Sequence, residues 1–95
     1  MELSVIIPTY NERERLAELI LTITSLFRSA GIRGEVIVVD DNSPDGTGEV
    51  ANQLAQRDDD VKVVHRPGKL GLGSAVMKGF STAQGDVLGV MDADF

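Results

Sequence analysis

Four short apolar runs alternate with longer segments of helical periodicity along this chain, and this alternation restricts its fold more than any other feature. The runs are rich in Val and Ile and comprise residues 3–7, 35–39, 61–64 and 86–91. Between them, apolar residues recur at the three- and four-residue spacing that is typical of amphipathic helices. The pattern predicts the element order β-α-β-α-β-α-β.

The apolar runs do not alternate with polar residues, which indicates strands that are covered on both faces. Such strands are typical of parallel sheets, and right-handed crossovers between them place helices on both sides of the sheet. We therefore predict the α/β class, as a Rossmann-like three-layer α/β/α arrangement with a mostly parallel sheet. No linker, repeat or low-complexity segment interrupts residues 1–95, so we expect a single domain.

Local signals place the ends of the predicted helices. Asn11 is expected to begin the first helix, with Glu14 as its capping-box partner. The buried stripe of this helix is predicted to include Leu26, and Gly31 is expected to end it. The second helix is predicted over residues 47–57 with Asp45 as its cap, and the third over residues 73–83.

Composition excludes several classes of function. The net charge of -6 comes without a basic stripe, which argues against binding to nucleic acid. The absence of cysteine excludes disulfides and thiolate metal sites and suits a reducing cytosol. No run approaches the roughly 20 apolar residues that span a bilayer, and no signal peptide is visible. We expect the chain itself to be soluble and cytoplasmic.

The fourth predicted strand ends in two carboxylates one residue apart, Asp92 and Asp94. Hard carboxylate oxygens suit Mg²⁺ or Mn²⁺, which are often held by one or two carboxylates together with substrate phosphates. The small residue Ala93 lets a ligand approach the backbone between them. We predict that Asp92 and Asp94 are metal ligands and catalytic residues.

Polar residues also follow the other three predicted strands, and in open parallel sheets ligands bind beyond the carboxyl ends of the strands. Tyr10 offers a flat face for a base, and Glu12 offers an acceptor for ribose hydroxyls or base N–H groups. Asp40 and Asp41 point to opposite sides of an extended chain, so one is expected to brace the loop and the other to accept a hydrogen bond from a nucleoside. His65 is expected to be structural or exposed.

A glycine-rich loop follows the third predicted strand. Gly71 and Gly73 match the start of a dinucleotide fingerprint, but Val76 stands where a third glycine is needed and the loop follows the wrong strand. Two interpretations remain. The bare backbone can approach a phosphate, with charge added by Lys69 or Arg66, or the glycines can allow the third helix to pack closely on the sheet.

Four motifs occur together in chain order: Pro8-Thr9-Tyr10-Asn11-Glu12, Asp40-Asp41-Asn42-Ser43-Pro44-Asp45-Gly46-Thr47, Gly68-Lys69-Leu70-Gly71-Leu72-Gly73-Ser74-Ala75 and Met91-Asp92-Ala93-Asp94. Over the whole chain this set resembles the inverting GT-A glycosyltransferases of family 2. The second and third motifs resemble most closely the branch of that family that acts on polyprenyl phosphates.

The resemblance implies roles for individual residues. The nucleoside would be contacted by Pro8, Tyr10, Glu12, Val39 and Asp41. The diphosphate and a Mg²⁺ or Mn²⁺ ion would be met by Asp92, Ala93 and Asp94. The implied donor is a nucleotide sugar, GDP-mannose in that branch, and the implied acceptor is a polyprenyl (dolichyl) phosphate at the cytoplasmic membrane face.

Catalytic domains of this family are about twice as long as this chain and continue past the Asp-x-Asp motif. We therefore expect the chain to be a donor-binding half, a partial GT-A fold truncated after that motif. The fold implies the strand order 3-2-1-4, which would leave Val87, Leu88, Val90 and Met91 on an exposed edge. Such an edge predicts self-association.

Two other functions are weighed against this interpretation. One is a non-catalytic nucleotide-binding or interaction module that keeps the fold without turnover. The other is a dinucleotide-dependent oxidoreductase, which the incomplete glycine fingerprint and the Asp-x-Asp motif both disfavour.

Overall fold

The computed structural model describes residues 1–68 and 71–91 and confirms the predicted α/β order. Its seven elements are β1 (Leu3–Thr9), α1 (Arg13–Ala30), β2 (Gly34–Asp40), α2 (Thr47–Arg57), β3 (Val61–His65), α3 (Leu72–Thr82) and β4 (Val87–Val90). The predicted bounds of α2 are the observed ones, and those of α3 are shifted by one residue.

The four strands form one parallel sheet in the order β3-β2-β1-β4, as predicted. The register aligns Thr9 of β1 with Asp40 of β2, and Asp40 with His65 of β3. The carboxyl ends of three strands therefore lie level, and the segments that follow them begin side by side at one edge of the sheet.

Apolar side chains cover both faces of the sheet. On one face α1 and α2 pack on β-strand residues that include Val5, Ile7, Val36 and Val38. On the other face Ala75 of α3 packs in a smaller cluster with Ile6, Ile37 and Val39. This division confirms that the sheet lies between two helical layers.

The predicted burial of Leu26 in α1 is wrong, since this side chain is 62% exposed. At about 100° per residue, Leu26 projects just beyond Leu19 at one margin of the helix stripe. At the opposite margin Thr24 is buried on the side of α1 that faces α2. The buried stripe is therefore displaced toward the neighbouring helix, and Leu26 is left outside it.

A buried carboxylate joins the strands near their amino ends. Glu35 is fully buried and accepts hydrogen bonds from Ser4 Oγ at 2.6 Å, Lys62 Nζ at 2.5 Å and the N–H of Gln84 at 2.7 Å. Burial alone raises the pKa of the Glu35 carboxyl. The hydrogen bonds and the charge of Lys62 lower it by more, so the pKa is below its usual value. Glu35 therefore links β1, β2, β3 and the segment that leads into β4.

The outer edge of the described sheet is β4. Its residues Val87, Leu88 and Val90 and the following Met91 are between 42% and 61% exposed. This confirms the predicted exposed apolar edge. In the described part of the chain, no helix combines the length and apolarity needed to cross a membrane.

Candidate nucleotide site

The carboxyl edge of the sheet brings together the segments in which sequence analysis placed the site. Residues 10–12 follow β1, residues 41–46 follow β2, and residues 66–68 follow β3. The N–H of Met91 donates to the carbonyl of Ile6 at 3.0 Å, so the chain still runs beside β1 at that point. Asp92, Ala93 and Asp94 come next in the sequence but lie outside the described residues.

Asp40 braces the loop that follows β2. It is 2% exposed and accepts hydrogen bonds from Thr9 Oγ1 at 2.9 Å, from Ser43 Oγ at 2.6 Å and from the N–H of Ser43 at 3.2 Å. A buried carboxylate needs such donors because burial without them costs several kcal/mol. Asp40 is thus the member of the acidic pair that braces the loop, as predicted for one of the two residues.

Asp41 forms a buried ion pair with Arg66. The guanidinium donates from Nε to Oδ1 at 2.6 Å and from Nη2 to Oδ2 at 2.8 Å, and the two side chains are 8% and 7% exposed. These hydrogen bonds raise the pKa of the Arg66 guanidinium, although burial alone lowers it. A two-point pair of this kind fixes the plane of the carboxylate.

Arg66 also holds the start of α3. Its Nη1 donates to Ser74 Oγ at 2.6 Å and its Nη2 to the carbonyl of Gly71 at 3.3 Å. The guanidinium is therefore committed to Asp41 and α3, contrary to the interpretation that it adds charge for a phosphate. Lys69, the other cation considered for that role, lies outside the described residues.

The amino end of α1 is capped by the loop after β2 and not by the predicted capping box. The helix begins at Arg13 with Glu12 at the capping position and has no side-chain cap of its own. Asn11 has a left-handed φ of 57° and lies before the helix. The prediction that Asn11 and Glu14 form a capping box is wrong because donors in this turn are instead satisfied across the structure.

Three consecutive N–H groups at this helix end donate to three side chains. Those of Asn11, Glu12 and Arg13 meet Ser43 Oγ at 3.0 Å, Thr47 Oγ1 at 3.0 Å and Asp45 Oδ2 at 3.2 Å, respectively. We call Ser43, Asp45 and Thr47 the loop clamp. The contacts of the loop clamp with α1 are not predictable from local sequence because they join residues 32 to 35 positions apart.

Asp45 is predicted to cap α2, but Gly46 holds the capping position. Asp45 lies one residue earlier, and its side chain contacts the first residue of both α1 and α2. Its Oδ1 accepts the N–H of Thr47 at 3.0 Å and also the Thr47 hydroxyl, while its Oδ2 faces the N–H of Arg13. Burial alone raises the pKa of the Asp45 carboxyl, but the hydrogen bonds from Thr47 and Arg13 lower it below its usual value. Its charge offsets the positive ends of both helix dipoles.

The predicted nucleoside contacts surround this region. Pro8 and Val39 lie opposite each other in the register of β1 and β2, and Tyr10 is 37% exposed directly after β1. The Val39 side chain is fully buried with Ile6 beneath α3. It therefore supports the carboxyl edge from within the core. These positions, with Glu12 and Asp41, remain predictions as nucleoside ligands.

A divalent metal would depend on Asp92 and Asp94. Within residues 1–68 and 71–91, no group of three His, Cys, Asp or Glu side chains is placed to hold an ion. His65 is exposed, as predicted, and its Nε2 lies 2.8 Å from Asn52 Oδ1. The described part of the edge therefore supplies hydrogen-bonding groups, and the candidate metal ligands are those of the Asp-x-Asp motif.

The sequence matches the model of the protein family described as Glycosyl transferase family 2 over residues 4–95. The chain belongs to this family. The match includes every motif that sequence analysis singled out, and it confirms the resemblance on which the residue roles were predicted.

Comparison with known proteins gives relatives over nearly the whole chain. It is 52% identical over 94 residues to a dolichol-phosphate mannosyltransferase of Pyrococcus furiosus, and this alignment covers 99% of the chain. The mannosyltransferase PcManGT of Pyrobaculum calidifontis, solved with GDP-Man and Mn²⁺, is 30% identical over 98% of the chain with a TM-score of 0.83. Residues 1–349 of S. aureus TarS, solved with UDP-GlcNAc, are 29% identical over 99% of the chain with a TM-score of 0.84.

These proteins are much longer than the chain. It spans 26% of the P. furiosus relative and 27% of each of the two solved chains. The shared part is therefore the family's βαβαβαβ unit and its carboxyl edge.

Proposed function

We propose that this chain supplies the donor and metal half of an inverting glycosyltransferase that moves a sugar from a nucleotide to a polyprenyl phosphate. The observation that carries the proposal is the convergence of the loops after β1, β2 and β3 beside the strand that leads into Asp92 and Asp94. The identity of 52% to a dolichol-phosphate mannosyltransferase supports this acceptor class, which would place the reaction at the cytoplasmic membrane face.

The proposed donor site divides the nucleotide between two groups of residues. Pro8, Tyr10, Glu12 and Asp41 would contact the nucleoside, and the fully buried Val39 would support that surface from within the sheet. Asp92, Ala93 and Asp94 would meet the diphosphate, with the two carboxylates holding Mg²⁺ or Mn²⁺. The Mn²⁺ in the P. calidifontis complex supports a divalent ion.

The hydrogen bonding at the amino end of α1 supports the assignment of the diphosphate to the Asp-x-Asp motif. In folds that bind a diphosphate directly, free N–H groups at a helix amino end point to the phosphates. Here the N–H groups of Asn11, Glu12 and Arg13 are taken by the loop clamp, and the carboxylate of Asp45 would repel a phosphate. A diphosphate at this edge is therefore better stabilised by a metal at the Asp-x-Asp motif than by α1.

The proposed reaction is an in-line displacement at the anomeric carbon of the donor sugar. An oxygen of the acceptor phosphate attacks, the new carbon–oxygen bond forms, and the bond to the nucleoside diphosphate breaks with inversion. A bound divalent ion supplies positive charge for the leaving diphosphate. Because a phosphate monoester is already an anion near pH 7, the attack needs no general base.

The preferred donor is GDP-mannose, because the P. furiosus relative is a mannosyltransferase and the P. calidifontis structure holds GDP-Man. The TarS structure holds UDP-GlcNAc, so family membership does not determine the base. Each carboxylate oxygen of Asp41 already accepts from Arg66, and its second lone pair would suit the N–H groups of guanine or the single ring N–H of uracil. Parallel titrations with GDP and UDP would distinguish these bases.

The main test is isothermal titration of the chain with GDP and with UDP, with and without Mn²⁺. We expect binding that requires the ion and that falls about tenfold or more in Asp94→Ala, since one of two carboxylate ligands is lost. Asp59→Ala, an exposed acid in the turn before β3, is the matched control. Binding that is equally strong without a metal would refute the metal assignment.

The second candidate is a non-catalytic nucleotide-binding module, which would keep this fold and the loops of its carboxyl edge without turnover. Transfer of mannose from GDP-mannose to a polyprenyl phosphate separates the two functions. Nucleotide binding without any transfer would favour the module. A dinucleotide-dependent activity is disfavoured by the occupied end of α1, and measurable NADH binding would reverse that view.

A further inference from the structure

We infer that the loop clamp, Ser43, Asp45 and Thr47, is the positioning device of the nucleoside site. These residues hold the segment of residues 10–12 in its binding shape by occupying the amino end of α1. The inference rests on the proposed function, because Tyr10 and Glu12 are nucleoside contacts only within it. It assigns a task to the Asp-Asn-Ser-Pro-Asp-Gly-Thr motif beyond that of capping α2.

The segment of residues 10–12 needs external support. Asn11 has a φ of 57°, a left-handed conformation that asparagine adopts more readily than most residues but that belongs to neither the strand nor the helix. The turn lies between the last residue of β1 and the first of α1, where helix N–H groups lack intrahelical partners. Each member of the loop clamp supplies one acceptor there, so the segment is held at three successive residues.

The loop clamp is itself anchored in buried structure. The Thr47 side chain is fully buried, and Ser43 is held by the buried carboxylate of Asp40 through both its hydroxyl and its N–H. The loop turns through left-handed residues at Asn42, with a φ of 55°, and at Gly46, with a φ of 93°. These are residue types that adopt this conformation at low cost. The acceptors are therefore presented in a fixed arrangement.

A fixed arrangement matters because preorganised contacts lose less entropy when a ligand binds. The backbone of residues 10–12 determines where the ring of Tyr10 and the carboxylate of Glu12 can reach. If the loop clamp is weakened, the turn can adopt other dihedral angles, and both side chains move together. The loss of affinity then falls on recognition of the nucleoside and not on the diphosphate, which the proposed metal at the Asp-x-Asp motif would hold.

The test compares two ligands on the same variants by isothermal titration in Mn²⁺. The ligands are inorganic pyrophosphate and whichever of GDP and UDP the unaltered chain binds more tightly. We expect Asp45→Ala to weaken the nucleotide about tenfold while changing pyrophosphate by less than about twofold. Asp45→Asn keeps only one of the two acceptor oxygens that Thr47 and Arg13 use, so it should restore no more than part of the nucleotide affinity.

Two further variants keep the test decisive. Ser43→Ala removes the acceptor for Asn11 and should also weaken the nucleotide selectively, and it decides the outcome if circular dichroism shows that Asp45→Ala does not fold. Ile23→Val removes a methyl group from the buried face of α1 and should lower stability without changing the ratio of the two affinities. This variant separates positioning from general destabilisation.

The outcomes distinguish the two proposals. Nucleotide affinity unchanged in Asp45→Ala and Ser43→Ala overturns the positioning role and leaves the proposed function intact. Equal losses for nucleotide and pyrophosphate, or the same selective loss in Ile23→Val, also overturn it. An unaltered chain that binds neither GDP nor UDP overturns the proposed function, and the inference falls with it.

Discussion

At the scale of single residues, the described part of the carboxyl edge contains a buried ion pair. Asp41 and Arg66 are both less than a tenth exposed, whereas the surface pair of Arg28 and Asp58, at 2.7 Å, has side chains 64% and 20% exposed. Both pairs have short contacts, but solvent screens the exposed pair and already hydrates its partners. The two pairs should therefore differ greatly in what they contribute to stability.

We predict that Arg66→Met lowers the free energy of unfolding by about 3–5 kcal/mol, because it leaves the Asp41 carboxylate buried without its partner. The matched control Arg28→Met should lose less than about 1 kcal/mol. Urea denaturation measures both, and adding Asp41→Asn to Arg66→Met should recover part of the loss. Equal losses in the two single variants would contradict this account.

Glu35 gives a prediction about pH. Its folded-state pKa is lowered, so the stability it contributes is present above the pKa of an unfolded glutamate and is lost as the pH falls through the lower folded value. We expect Glu35→Gln to cost about 1.5–3 kcal/mol near pH 7 and to flatten the acid side of the stability curve.

Urea midpoints between about pH 6 and pH 3 measure this effect. Asp45 also has a lowered pKa, so some acid dependence should remain in Glu35→Gln. If the urea midpoint of Glu35→Gln falls with decreasing pH as steeply as that of the unaltered chain, Glu35 is not a major source of the acid dependence.

At the scale of elements, close packing of α3 on β1 depends on a glycine. A Cβ atom added at Gly79 would lie 2.3 Å from Cγ2 of Ile6, and Ile6 is fully buried. A Cβ atom added at Gly73, near the start of the same helix, would meet nothing within 4 Å. Substitution at Gly73 therefore reports helix propensity alone, whereas substitution at Gly79 reports helix propensity together with packing against Ile6.

We predict that Gly79→Ala destabilises the chain by about 1–3 kcal/mol, because overpacking against Ile6 outweighs the helix propensity gained. Gly73→Ala should be neutral or stabilising by up to about 1 kcal/mol. Thermal unfolding followed by circular dichroism compares the two. A Gly79→Ala variant as stable as Gly73→Ala would mean that α3 shifts away from the sheet at little cost.

At the scale of the whole molecule, the described sheet ends in an apolar edge strand. β4 is bonded to β1 on one side, and its residues Val87, Leu88 and Val90 are exposed. Exposed edges of this kind pair with other strands unless charge or a covering segment protects them. The chain is therefore expected to self-associate through β4.

We predict that light scattering detects dimers or larger species at high concentration and that Val87→Lys shifts the chain toward monomer, because a lysine on the edge resists strand pairing. Leu21→Lys is the control, since Leu21 is 55% exposed on α1, away from this edge. A monodisperse monomer of the unaltered chain at high concentration would contradict the prediction.

The elements, their order and the edge at which the motifs meet could be predicted from the amino-acid sequence. Apolar periodicity located every strand and helix, and Gly31, with a φ of 68°, ends α1 as predicted. These features were accessible because each depends on residues only a few positions apart. Parallel strands joined by right-handed crossovers then leave few possible arrangements.

The contacts of the polar residues at that edge could not be predicted, because they depend on how the chain folds. Arg66 reaches Asp41 across 25 positions, and the loop clamp reaches α1 across 32 to 35 positions. The exposure of Leu26 likewise follows from where α2 packs on α1. Such contacts depend on strand register and helix packing, which bring together residues whose local sequences contain no sign of one another.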